Sequence, residues 1–369
     1  MSRISVRFST YVIGHFFKWF LVIFFGLAVI MALGDLLEFM RQGTAEKIGI
    51  TQLMGLALLK LPSGVQRLLP FVVFFATIVS LWRMSRSSEL IAARSLGISA
   101  KQFIQPIILV AIAIAVVKVA VFNPIAASTY KKFITREAEL FPFHHTTGQI
   151  NANRLWLREA SNSSPGDHSA TIIHAHSTTP DLAELRLVTV MQFDREGNFT
   201  SRLDAQRAIL QDGRWHFSEV SRTLTGQVPQ PSPDFILPTE FTPEKISLSL
   251  SIPETLSFWE LPTMIGLNEN AGLPALPQRM AWQNEWATPV LFTAMILIGT
   301  IFSLRLPRRG KVGMTIGIGI GIGFIFYFII NLIQAFGLSG RIPVVLAVWS
   351  FPVATCMVGI ALLLHLEDG

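Results

Sequence analysis

The chain is short of three things, and each shortage closes off a class of protein. Cysteine occurs once, as Cys356, in 369 residues. No intramolecular disulfide can form, so any domain outside a membrane must fold without covalent staples. Cys356 itself sits in an apolar run and reads as a small buried hydrophobe. Charge is scarce as well: Asp, Glu, Lys and Arg make up 15% of the residues, against about 25% in soluble domains. Finally, the motifs of common active sites are missing. There is no G-x-x-x-x-G-K-[ST] phosphate loop; the nearest fragment, Arg309-Gly310-Lys311-Val312, lacks the first glycine and the Ser/Thr. No H-E-x-x-H and no G-x-S-x-G occurs. His144-His145 and His174-Ala175-His176 have no evident third ligand, so neither a metal nor any other cofactor is expected. The chain reads as a non-enzyme, and any energy from ATP must come from a separate subunit.

What fills the chain instead is apolar sequence: 51% of the residues are hydrophobic and the mean hydropathy is +0.49. A hydrocarbon layer about 30 Å thick needs about 20 apolar helical residues. Six stretches meet or approach that length: 11–33, 63–82, 103–122, 287–304, 313–336 and 342–364. The first follows Arg3 and Arg7, is too long for a signal-peptide core of about 7–15 residues and has no small-residue cleavage site after it, so a retained helix is expected. Lys and Arg gather before the first stretch, between the second and third (Arg83, Arg86, Arg94, Lys101) and between the fourth and fifth (Arg305, Arg308, Arg309, Lys311). These places fall on one side of a six-span arrangement, which predicts cytoplasmic termini. The same bias accounts for the net charge of +6 without any nucleic acid partner.

The segment between the third and fourth spans then lies outside and carries strand signals. Residues 246–252 alternate Ile/Leu with Ser, 154–158 alternate as well, and 187–193 do so less cleanly. Asp212-Gly213 between Ala208-Ile209-Leu210 and Trp215-His216-Phe217 predicts a hairpin, and 161–168 predicts a loop. Many short strands in one block indicate a sandwich or jelly roll. The expected fold class is an α-helical polytopic membrane protein with an inserted all-β, jellyroll-like domain. Its parts are a first bundle over 1–123, a β domain over 124–286 and a second bundle over 287–369.

Several residues inside this plan draw attention. Gly313, Gly317 and Gly321 fall at i+4 steps on one helical face, with Gly319 and Gly323 on another; small residues let helices approach closely in lipid, so this face is a candidate for gate packing. Lys18 and Lys118 lie near opposite ends of their spans, where snorkelling to the interface is the expectation. Arg41, Lys60 and Arg67 surround the outer ends of the first two spans, a candidate rim for anionic lipid head groups at ~1 kcal/mol per cation. The loop R-M-S-R-S-S-E-L-I-A-A-R-S-L-G-I-S-A-K, residues 83–101, predicts a cytoplasmic amphipathic helix over about 84–97. Leu90, Ile91 and Leu96 give it an apolar side, Glu89 is its single acid between Arg86 and Arg94, and Gly97 caps its end.

With this string the chain resembles the lipopolysaccharide export permeases LptF and LptG. The matching residues are Leu61-Pro62, Leu69-Pro70, the run from Arg86-Ser87-Ser88-Glu89-Leu90 through Arg94 and Gly97 to Ser99, Pro124, Trp156-Leu157-Arg158, Phe258-Trp259-Glu260-Leu261-Pro262, Phe302-Ser303-Leu304-Arg305, Arg309-Gly310 and Gly340-Arg341-Ile342-Pro343. The Leu61-to-Pro70 region with Trp82 and the following Arg-Ser-Ser-Glu-Leu string is closer to LptG. The resemblance implies a subunit of the bacterial inner membrane that pairs with an LptF-like sister subunit above an LptB-like ATPase dimer. It implies that lipopolysaccharide passes to a periplasmic bridge of LptC- and LptA-like proteins, with the β domain in the periplasm. Carried over residue by residue, it places ATPase coupling on Arg86, Glu89, Leu90, Arg94 and Gly97. Basic residues of the outer first span contact lipid in some members; here Asp35 and Glu38 occupy much of that region beside Arg41. The competing readings are a membrane-anchored envelope-assembly scaffold and a secondary transporter, which would want buried acidic or His relays at mid-membrane.

Overall fold

The computed structural model describes residues 3–368 apart from 42–47, 90–91, 93–94, 96–99, 142–154, 161–167, 180–182, 195, 197, 225–227, 233, 240, 244–245, 247–251, 271–274 and 306–311. It divides into two compact units. One comprises Met1–Glu137, Pro253–Ile265 and Ala275–Gly369; the other comprises Ala138–Ile252 and Gly266–Pro274.

Long apolar runs can satisfy their backbone in lipid only as helices, and the first unit is built from them. In chain order they are α1 (Arg3–Arg41), α2 (Ile50–Arg86), α3 (Ala100–Val117), a π-helical turn (Lys118–Phe122), α4 (Asn123–Leu140), α5 (Leu261–Asn270), α6 (Leu276–Arg305), α7 (Val312–Leu338) and α8 (Val344–Asp368). Among the described residues six helical stretches are long and apolar enough to cross a membrane, with α3, the π turn and α4 forming one of them, Gln102–Leu140. Five of them extend past both ends of the apolar core read from sequence, while α8 begins at Val344, two residues later than read, and runs past the other end. Leu61-Pro62 and Leu69-Pro70 are therefore inside α2, where neighbouring helices can re-satisfy the backbone a proline frees.

Helices α2 and α6 form the centre. In each, 61% of the most apolar window is buried, against 11% in α1 and α7. Phe74 of α2, Phe103 of α3 and Phe292 of α6 are fully buried in one cluster. Helix α1 packs on α2 and α3, while α7 packs on α8, α6 and α2. Small residues set the closest crossings: a Cβ on Gly299 of α6 would lie 3.2 Å from the Phe74 carbonyl oxygen, and the Ser303 hydroxyl donates to the Ile78 carbonyl at 3.2 Å.

Pro124 explains the π turn. Proline has no amide to give the carbonyl four residues back, and its ring crowds that carbonyl. The ladder widens by one residue, and the Asn123 amide donates to the Lys118 carbonyl instead. A π turn brings side chains five apart nearly into line, which an α-helix does not.

The second unit is an antiparallel sheet of β1 (Leu155–Ala160), β2 (His168–Thr178), β3 (Glu184–Asp194), β4 (Phe199–Gln211), β5 (Arg214–Leu224), β6 (Gln230–Ser232) and β7 (Phe235–Pro238). The described strands run as a meander from β1 to β6, with β7 also pairing with β5. The insertion is all-β in its strands, as expected. Asp212 (φ 50°) and Gly213 (φ 70°) make the two-residue turn, and the predicted hairpin has Leu210 opposite Trp215 and Ala208 opposite Phe217. The alternation at 187–193 is interrupted at its start: Leu187 adopts a φ of 50° while the register with β4 continues unchanged from Arg186 to Val188, and Leu185 and Val188, three apart, are both buried. On the polar face, Arg207 and Arg186 hold the Glu184 carboxyl below its ordinary value. The predicted 246–252 strand lies mostly outside the described residues; Ile246 is helical and fully buried. The loop predicted over 161–168 and the His144-His145 pair also lie outside them, save that His168 opens β2.

Candidate functional site

Four constellations in the helical unit carry chemistry. The first is the turn after α2. Two cations in the last turn of α2 lie over indole rings: Arg83 is 5.3 Å from the ring of Trp19 in α1 and Arg86 is 5.6 Å from Trp82. The chain then reverses at Ser88, whose φ is 62°. The reversal aims the half-buried Glu89 back at α1, where the Tyr11 hydroxyl donates to its Oε2 at 2.9 Å. Leu90, Arg94 and Gly97 lie outside the described residues; the Ala92 amide bonds the Ser88 carbonyl at 3.0 Å.

The second is the rim at the opposite ends of α1 and α2. Each of the three predicted cations has a carboxylate partner. Arg41 lies 3.5 Å from Glu38, and Arg67 lies 3.1 Å from Glu254, with the two arginines 82% and 64% exposed. Lys60 is more enclosed: it donates to Asp35 at 2.7 Å and its ammonium stands 5.5 Å from the Phe39 ring and 5.9 Å from Phe133. Asp35 is thus the counter-ion of Lys60.

The third is the glycine face of α7. Gly319 and Gly323 pack on α2, where added Cβ atoms would meet Ile78 at 3.6 Å and Phe75 at 3.3 Å. A Cβ on Gly317 or Gly321 would meet nothing within 4 Å among the described residues. The two helical faces read from sequence therefore differ in kind, Gly319 and Gly323 packed within the chain and Gly317 and Gly321 open among the described residues; Gly313 lies in the first turn of α7.

The fourth was not anticipated. Lys118 does not snorkel: it is buried, donating to Glu285 Oε2 at 2.5 Å and to Thr288 at 3.4 Å. The other Glu285 oxygen accepts from Gln66 at 3.0 Å and Asn123 at 3.2 Å. The π turn is what lets Lys118 and Asn123, five apart, reach the same carboxylate. The Asn123 carbonyl oxygen in turn accepts the Phe258 amide at 2.7 Å. One residue earlier, the Ser257 amide and hydroxyl both donate to Glu260 at 2.8 Å, which holds the Glu260 carboxyl below its ordinary range. The Phe258-Trp259-Glu260-Leu261-Pro262 motif is thereby pinned to the start of α4. Glu285 escaped the sequence reading because the fourth span was placed to begin at Ala287, whereas α6 begins at Leu276. Lys18, in contrast, is exposed, as snorkelling requires. Among the described residues no group of three His, Cys, Asp or Glu side chains is placed to hold a metal.

No curated protein sequence matches the chain closely. A family model does, over residues 10–365, and its description is lipopolysaccharide export system permease LptF/LptG. With six apolar helices and a central antiparallel sheet, the chain belongs to the LptF/LptG family of lipopolysaccharide export permeases.

Proposed function

We propose that this chain, as a family member a transport subunit of the bacterial inner membrane rather than a catalytic enzyme, is the LptG-like half of an ABC exporter, with both termini cytoplasmic and the β domain periplasmic. A sister LptF-like subunit completes the membrane part, and an LptB-like ATPase dimer supplies all ATP hydrolysis. The observation that carries this reading is the open face of α7. Gly317 and Gly321 leave room for a close neighbour that the described residues of this chain do not supply, and the equally unburied α1 exposes Phe25, Val29 and Ile30. A sister subunit presenting its own α1 to that face would close a lipid chamber with a weak, separable seam. Arg41 and Arg67, with Lys60 behind them, then meet lipid phosphates at the chamber's periplasmic rim. The edge strand β1 lacks proline, whereas β6 and β7 carry Pro231 and Pro238. Proline blunts an edge, so β1 is the strand better suited to extend an LptC- and LptA-like bridge. Coupling to the ATPase falls on Arg86, Glu89, Leu90, Arg94 and Gly97.

Two experiments test this. In a Cys356→Ala background, cysteines placed near Arg308 and near Asp212 should label from opposite sides of the membrane; labelling from one side would overturn the topology. In the reconstituted complex, Glu89→Lys should insert and fold normally yet lose ATP-driven lipid release with weaker ATPase association. Truncating one partner of a buried interfacial pair costs about 2–5 kcal/mol, whereas a solvated glutamate would cost almost nothing. Wild-type release with the ATPase still bound would reject the coupling role.

A further inference from the structure

The contact between Tyr11 and Glu89 joins residues 78 positions apart, one at the N-terminal end of the first span and the other in the turn that follows the second. The local backbone is built to make it. The Ser87 amide bonds the Arg83 carbonyl at 3.1 Å and the Ser88 amide bonds the Ser85 carbonyl at 3.3 Å, closing α2. Ser88 then takes a left-handed conformation that a non-glycine residue rarely adopts, and Glu89 is the first side chain after the reversal. The neighbouring arginines are engaged elsewhere, over Trp19 and Trp82.

We infer that Tyr11 is a positioning residue for ATPase coupling: its hydroxyl orients the Glu89 carboxylate and ties the coupling turn to α1. The inference rests on the coupling reading of Glu89 proposed above. An ionised carboxylate accepts at about four lone-pair sites. Tyr11 uses one of them, on Oε2, which fixes the direction of the group and leaves acceptor capacity for a donor on the ATPase. The Arg83–Trp19 contact, about two turns further along α1, is a second tie between that helix and the last turn of α2, so the turn and α1 move together. Helix α1 is also one of the two least buried spans. A displacement imposed on the turn by the ATPase is therefore delivered directly to a helix that faces lipid or a neighbouring subunit, not only to the packed centre of the bundle.

The test uses the complete complex, reconstituted with its sister subunit and ATPase, and measures lipid released per ATP hydrolysed for wild type, Tyr11→Phe, Glu89→Ala and the double variant. Phenylalanine keeps the ring that sits 5.3 Å from His15 and removes only the donor, so assembly and melting temperature should match wild type. Tyr11→Phe should lower lipid released per ATP by about three- to tenfold, the loss expected for a partly exposed hydrogen bond to a charged group. The double variant should be no worse than Glu89→Ala, because the hydroxyl acts only through that carboxylate. A merely structural tyrosine would lower stability and leave the ratio of lipid to ATP unchanged. Wild-type coupling in Tyr11→Phe beside a defective Glu89→Ala overturns this inference alone, as does a Tyr11→Phe defect that multiplies with Glu89→Ala. Wild-type coupling in Glu89→Ala overturns the coupling reading and the inference together.

Discussion

Glu285→Leu should destabilise the helical unit by about 3–5 kcal/mol, because it leaves a buried ammonium without its counter-ion. Lys118 and Glu285 are each 9% exposed at the side chain. The carboxylate is also the acceptor for Gln66 and Asn123, so its removal strands three donors from α2, the π turn and α4 at once. The double variant Lys118→Met/Glu285→Leu should recover most of the loss, since replacing both members of a buried pair by apolar groups of similar volume is often close to neutral. Detergent-solubilised melting curves for the two single variants and the double variant measure this. A double variant as unstable as Glu285→Leu would mean that the amide donors, not the ion pair, carry the cost. A Glu285→Leu protein as stable as wild type would mean that the network contributes nothing. The Asn123–Phe258 bond extends the expectation: if the network is a brace, protease sensitivity around Trp259 should rise in Glu285→Leu and return towards wild type in the double variant.

The second large effect separates two kinds of glycine. Gly337→Leu and Gly359→Leu should fail to give folded protein, whereas Gly317→Leu and Gly321→Leu should fold and lose transport. A Cβ on Gly337 would lie 2.5 Å from the Ala347 Cβ, and one on Gly359 would lie 2.7 Å from the Leu297 Cβ. Both obstacles are the first side-chain atom on a neighbouring helix, so only a shift of the whole helix can relieve them. Overpacking of this kind costs about 1–3 kcal/mol per site and sometimes more, and larger side chains push the helices further apart. Gly64 makes the opposite case: its Cβ would collide with the flexible end of Met31, which can swing aside. At Gly317 and Gly321 there is no obstacle among the described residues, so a leucine there changes what approaches from outside. Size-exclusion profiles report the folding half of the prediction. Cysteine pairs between that face and the sister subunit's first span report the other half, with a cross-linking yield that changes on adding nucleotide. A yield indifferent to nucleotide, or full transport in Gly317→Leu, would mean that the open face simply contacts lipid.

The six spans, the β insertion and the Asp212-Gly213 hairpin were legible in the sequence because each rests on a local rule. An apolar run of about 20 residues has one stable backbone solution in lipid, and a two-residue turn with positive φ at both positions strongly favours residues such as Asp and Gly. The family string around Glu89 was legible for the same reason, as a short contiguous pattern. Helix ends were not, because apolar windows stop where polar residues begin. Residues 123–140 carry Lys131, Lys132, Arg136, Glu137 and Glu139 and still continue as helix. Nor could the sequence assign partners across long separations. Lys118 and Glu285 are 167 residues apart, and a lysine near a span end snorkels unless packing brings it a carboxylate. Lys60 reads as a free rim cation until Asp35, Phe39 and Phe133 are seen around it. The i+4 spacing of the glycines established that two faces exist, but which face is packed and which is open depends on where α2 lies. Only the tertiary structure decided these points, because burial and charge pairing belong to neighbours in space.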